Sequence, residues 1–156
     1  MPKRSAGLLL WRRREGVVEV LLAHPGGPLF ARRDDGAWSV PKGEYTDDEE
    51  PLAAARREFL EEIGTAAPDG EPFPLGEARQ SSGKVNVVWA LRGDLDVTEV
   101  HSNLFSMEWP PRSGRHQEFP EIDRAAWFDL ETARRKIFAS QLPFLDRLAE
   151  HAHDDR

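Results

Sequence analysis

Proline at position 51 and glycine at position 64 bracket a stretch whose apolar residues recur at helical spacing, and that bracket constrains the chain more than any other feature. Leu52, Ala55, Phe59 and Ile63 follow one another at intervals of three, four and four, which puts them on one side of a helix and makes that side the buried one. Proline is tolerated in a first helical turn, and glycine suits the left-handed residue that ends one. The spacing therefore predicts a helix over residues 51–63. Glu58, Glu61 and Glu62 crowd onto a neighbouring strip, with Cβ atoms about 5–6 Å apart. Like charges at that spacing repel, and a purely structural helix gains nothing from them. A hard divalent cation reverses the sign, because the same carboxylates then share one attraction. Ala54 lies a turn before Glu58 on this strip and leaves room for whatever the cation holds. Arg57 lies a turn before Glu61 and can hold that carboxylate by a charged hydrogen bond.

The charge of the whole chain is concentrated around this helix. The 156 residues include 28 acids and 21 Lys and Arg, a net charge of −7. Eight acids and two bases lie between Gly43 and Gly64, which accounts for six of the seven excess negative charges. The rest is nearly neutral, so an overall basic footprint for duplex nucleic acid is missing. The length suits one domain over residues 1–156. At 39% hydrophobic and 9% aromatic, the chain is too apolar for disorder. No apolar run approaches the roughly 20 residues of a membrane span, and Ala6–Trp11 is shorter than the core of an export signal. With no cysteine, any metal must be held by carboxylate, imidazole or carbonyl groups. These features fit a cytoplasmic protein with no membrane partner.

Along the chain, Ser5–Trp11 and Val17–His24 read as strands joined by a polar turn that includes Arg12-Arg13-Arg14. Pro25-Gly26-Gly27-Pro28 ends the second. Trp38-Ser39-Val40 reads as a short strand, Ala66–Gly76 as a loop, and Val85–Leu91 and Leu104–Trp109 as strands. Pro110–Pro120 reads as a long polar loop, Ala125–Phe128 as a last strand. Two helical stretches close the chain, one with Leu130, Ala133 and Ile137, the other with Leu142, Leu145, Leu148 and Ala149.

At the acidic helix the residues resemble the Nudix box: Gly43, five residues, Glu49, seven residues, Arg57-Glu58-Phe59, Leu60, Glu61-Glu62, Ile63, Gly64. Thr65 alone departs, where the pattern has an apolar residue, and neighbouring Ala66 is expected to replace part of that contact. The resemblance implies an α/β Nudix fold, a mixed sheet sandwiched between helices. It also implies hydrolysis of a nucleoside diphosphate linked to another moiety, with Mg²⁺ or Mn²⁺ as cofactor. By resemblance Glu61 and Glu62 are metal ligands, joined by the backbone carbonyl at Lys42 or Gly43. Glu58 is a third ligand or the base that deprotonates water, and Glu49 pairs with an arginine to brace the loop onto the helix. Many relatives pair as dimers, so a homodimer is one expectation.

Family members differ in which glutamate is the base, and some use one late in the sheet, where Glu118, Glu121 and His116 stand in this chain. Lys42, beside the box, is the leading phosphate contact, with Lys84 next and Arg32, Arg33, Arg112 and Arg115 after it. Trp38 and Trp89 could stack on a base, although tryptophan in a strand more often belongs to a core. His24, His101, His151 and His153 have no ligand-like spacing. The Trp-Ser-Val-Pro-Lys-Gly lead-in is similar to that of dinucleoside polyphosphate hydrolases. A house-cleaning nucleoside triphosphatase and a non-catalytic nucleotide-sensing module are the competing expectations.

Overall fold

A computed structural model describes residues 3–98 and 100–154. Its central sheet runs in the order β4 (Phe73–Arg79), β5 (Val85–Arg92), β1 (Arg4–Arg14), β2 (Val17–Pro25) and β8 (Ile122–Asp129), with the short β3 (Lys42–Glu44) also paired to β1. β1 and β5 are parallel and the other pairs antiparallel, so the sheet is mixed. β6 (Leu104–Glu108) and β7 (His116–Pro120) form a separate two-stranded ribbon. The helices are α1 (Pro51–Ile63), α2 (Leu130–Lys136) and α3 (Leu142–Asp154).

Side chains alternate between the faces of a strand, and in β1 both faces are covered. Ala6, Leu8 and Leu10 join a core with Ala54, Ala55, Phe59 and Ile63 of α1. Leu9 and Trp11 join another with Ala133 of α2 and Phe144, Leu145 and Leu148 of α3. A strand buried on both sides reads as a continuous apolar run, as this one does. The expected sandwich of a mixed sheet between helices is what the chain forms.

The strands β1 and β2 pair only between Trp11–Arg14 and Val17–Val20. Beyond that they part, and residues 38–44 fill the gap. Ser5–Gly7 pairs with β3, the Leu8 amide donates to the Pro41 carbonyl at 3.2 Å, and Ala23 and Ser39 exchange hydrogen bonds of 2.8 and 2.9 Å. The approach to the acidic helix is therefore built into the middle of the sheet.

Several expectations are corrected. Arg12-Arg13-Arg14 belongs to β1, not to a turn; Glu15 and Gly16 alone make the reversal, both at positive φ. Arg12 instead lies 4.0 Å over the Trp127 ring and pairs with Glu19 and Asp94. Trp38-Ser39-Val40 gives only isolated bridges, and the strand comes at β3. β4 begins inside the expected loop, its Pro74 and Gly76 absorbed by a register shift on an edge strand. β7 occupies the end of the expected Pro110–Pro120 loop. Ala54 is fully buried in the core rather than lining an open strip. Ala66 is exposed, and Ala67 makes the packing contact expected of it. Helix α1 has the expected bounds, ended by Gly64 at φ 88°.

Candidate active site

The inward face of α1 carries Glu58 as well as its apolar residues, and Glu58 is only 9% exposed. A carboxylate carried inward needs partners. Arg57 supplies one, its Nη1 donating to Glu58 Oε1 at 2.8 Å. The same guanidinium forks onto Glu49, Nε to Oε2 at 2.7 Å and Nη2 to Oε1 at 3.0 Å. It also reaches the Glu61 carboxylate at 3.2 Å and the Glu44 carbonyl at 3.5 Å. Arg57 thus ties the loop before the helix to two of the box acids, as the sequence suggested for Glu49.

Strand β3 closes the other side. A Cβ built on Gly43 would stand 2.0 Å from Glu58 Oε2, so the carboxylate lies directly against bare backbone. The next amide back, that of Lys42, donates to Glu62 Oε1 at 3.2 Å.

The acids load this corner with charge that burial makes costly. Burial first, and then the charge of Glu58, pushes the Glu62 carboxyl up to about 8, against the pull of Lys42. Burial also raises Glu58, opposed by Arg57 and reinforced by Glu61 and Glu121. Glu121, which follows β7, is raised by burial and by Glu61. Glu58, Glu61, Glu62 and Glu121 therefore act on one another across the fold. Two lysines stand close to these acids. Burial and then the nearby Lys84 lower Lys42, which faces Glu62, Glu44 and Glu58. Lys84 Nζ donates to Glu44 Oε2 at 2.9 Å and holds that carboxyl below its usual range.

Among the described residues, no three acid or imidazole groups already converge as an ion cage. Glu58 and Glu61 are turned to Arg57, and Glu62 to the Lys42 amide. The donor set nevertheless fits a hard cation. It is all oxygen, it is partly buried, and its raised carboxyls gain most from a positive charge among them.

The structure thus brings together Lys42, Gly43, Arg57, Glu58, Glu61, Glu62 and Lys84, and adds Glu121. Glu118 and His116 lie exposed on β7, paired with Ser106 and Glu108. Arg112 and Arg115 lie exposed in the β6–β7 connection, and Arg32 and Arg33 in the exposed loop before Trp38. Trp38 is 4% exposed between His24 and Phe128, and Trp89 packs against the α1-side core, so both serve packing. His24, assigned nothing from sequence, is fully buried. Its Nδ1 lies 2.9 Å from Asp123 Oδ1 and its Nε2 2.6 Å from the Arg33 carbonyl, which fastens the loop after β2 to the start of β8. A histidine ending an apolar strand gives no sign of this in sequence.

The family model of the NUDIX domain matches residues 1–148. The chain belongs to the Nudix family. It is a hydrolase acting on pyrophosphate bonds. An RNA pyrophosphohydrolase of Bartonella henselae is 30% identical over 149 residues, covering 83% of this chain and 78% of that protein. Among solved structures, a C. elegans Ap4A hydrolase in a binary complex superposes with a TM-score of 0.68 at 22% identity, over 97% of this chain and 98% of that one. The NUDIX domain of Shewanella oneidensis NrtR, complexed with ADP ribose, gives 0.65 at 14% identity, over 97% and 89%. These two likenesses concern the Nudix fold. No helix among the described residues is long and apolar enough to cross a membrane.

Proposed function

We propose that this Nudix protein is a Mg²⁺-dependent pyrophosphohydrolase that cleaves a nucleoside diphosphate linked to another moiety, with a dinucleoside polyphosphate as the favoured substrate. One observation carries the reading: Arg57 holds Glu49, Glu58 and Glu61 at once, Glu58 lies against the bare backbone of Gly43, Glu62 takes the Lys42 amide, and Lys84 reaches Glu44 beside them. Glu58, Glu61 and Glu62, with the Gly43 carbonyl, are the groups that would hold Mg²⁺, or Mn²⁺ in its place. When bound, the ion withdraws charge from phosphate oxygens and acidifies water. The remaining work belongs to the chain. Lys42 and Lys84 bind the polyphosphate, and Arg57 positions Glu58 and Glu61 through its fork onto Glu49. Glu121 accepts the proton of the attacking water. This residue keeps a solvent-exposed side although its carboxyl is partly desolvated, whereas Glu58 has one oxygen on Arg57 and the other against Gly43.

The likeness to an RNA pyrophosphohydrolase favours a second reading, a 5′-triphosphorylated RNA end as substrate. Both substrates present a polyphosphate attached to a nucleoside. Incubation with diadenosine tetraphosphate, ADP-ribose, nucleoside triphosphates and a 5′-triphosphorylated oligoribonucleotide, with Mg²⁺ and separation of products by ion exchange, distinguishes them. Preferred cleavage of the dinucleotide supports the first reading and of the RNA the second. No turnover on any substrate counts against catalysis.

A further inference from the structure

Beside the acids, the loop after β2 and the β6–β7 ribbon enclose an apolar slot for which the proposed chemistry has no use. It is a cavity of about 170 Å³ between Gly26, Gly27, Leu29 and Phe30 on one side and Phe105 and Met107 on the other. A Cβ on Gly27, whose φ is +93°, would stand 2.8 Å from Cζ of Phe105, so that ring rests on bare backbone. Leu29 is 62% exposed at the mouth.

The slot is anchored to the acids through the backbone. The Gly26 amide donates to the Glu121 carbonyl at 2.9 Å, the Glu121 amide to the Asn103 carbonyl at 2.8 Å, and the Asn103 amide to the Glu61 carbonyl at 3.0 Å. Three hydrogen bonds thus connect the wall of the slot, the exposed acid and helix α1. The slot wall and the acids therefore stand on backbone segments joined in sequence by direct hydrogen bonds.

We infer that the slot receives the nucleobase of the substrate, an inference that rests on the acids handling its phosphates. Pockets for whole drug-sized ligands measure about 300–1,000 Å³, whereas an engineered apolar cavity of about 150 Å³ takes benzene. The slot therefore suits one ring system, with sugar and phosphates outside. Its wall offers phenyl rings, a leucine and a methionine, and no side-chain hydrogen-bonding group to read a base edge. Stacking on aromatic residues is tolerant of base identity, and its loss weakens binding by about ten- to a hundredfold. The slot accordingly selects for a base and not for which base. That tolerance fits a substrate whose defining feature is its phosphate chain.

The test compares AMP with ribose 5-phosphate, titrated calorimetrically into the full chain with Mg²⁺. AMP is expected to bind at least tenfold tighter, with GMP and CMP close to it. In Phe105→Ala that advantage shrinks to within about threefold, while ribose 5-phosphate binds as before. Leu29→Glu, at the exposed mouth where folding is not at stake, has the same effect and decides the matter if Phe105→Ala unfolds. Equal affinities in the unmodified protein, or an AMP advantage that survives Leu29→Glu, overturn the inference. So does an advantage lost instead in Trp127→Ala, in the separate groove of about 670 Å³ beside Arg12. Base preference without turnover of any nucleotide sinks the catalytic reading and leaves the slot. Turnover without base preference does the reverse.

Discussion

Arg57 and Glu49 are joined by two hydrogen bonds, Nε to Oε2 at 2.7 Å and Nη2 to Oε1 at 3.0 Å, that fix the loop before α1 to the helix carrying the acids. A planar fork matched to a carboxylate gives orientation as well as attraction. Lysine in place of Arg57 keeps the charge but cannot hold Glu49, Glu58 and Glu61 together. Arg57→Lys is therefore expected to lower kcat about ten- to a hundredfold, measured by product release under saturating Mg²⁺. Unchanged kcat would show that the fork only fastens the loop.

Gly43→Ala tests the contact between β3 and Glu58. Its methyl carbon would fall 2.0 Å from Glu58 Oε2, so the carboxylate must leave its place. Mn²⁺ affinity, read by electron paramagnetic resonance, is expected to fall about ten- to a hundredfold, with kcat following it. The melting temperature should change little, because the displaced group is the end of one side chain.

Glu62 gives the metal-free protein a pH dependence. Its carboxyl sits at about 8 in the folded chain, against an ordinary value of 4.5. Between those values the folded chain keeps a proton that the unfolded chain has released, so stability falls as pH rises through that window. Below it both states are protonated and the effect vanishes. With chelator present, the melting temperature is expected to decline from about pH 5 to about pH 8, and less steeply in Glu62→Gln. Saturating Mg²⁺ should restore stability most at the alkaline end, where no proton competes for the site.

Glu121 must be deprotonated to act as a base, and burial and Glu61 raise its pKa. Activity is therefore expected to rise with pH on a limb displaced above the ordinary glutamate range. Glu121→Gln should abolish that limb and lower kcat about 10²–10⁴-fold while leaving Mn²⁺ affinity nearly intact. A variant that keeps the limb assigns the base to another group.

Much of this was legible in the sequence where local rules suffice. Proline and glycine bracket α1, and the resemblance to the box picks out the acids and Gly43 and gives Glu49 an arginine partner, which the structure identifies as Arg57. What escaped depends on pairing between distant segments. The arginines of β1 read as a turn because their charge hides a strand end that a two-residue reversal allows. β4 and β7 contain proline, which signals a loop unless one knows that the strand lies at an edge or in a small ribbon. The neighbourhood of Glu121 and Glu61 arises from the hydrogen bonds through Asn103, which no local spacing announces.

Residues 38–44 replace part of the sheet's centre instead of draping over its edge. This backbone beside the acids cannot breathe by itself: loosening it means breaking bonds to β1 and β2 at once. Its amide protons should exchange as slowly as those of the deepest strands, and whatever mobility turnover requires must come from the flanking loop and ribbon.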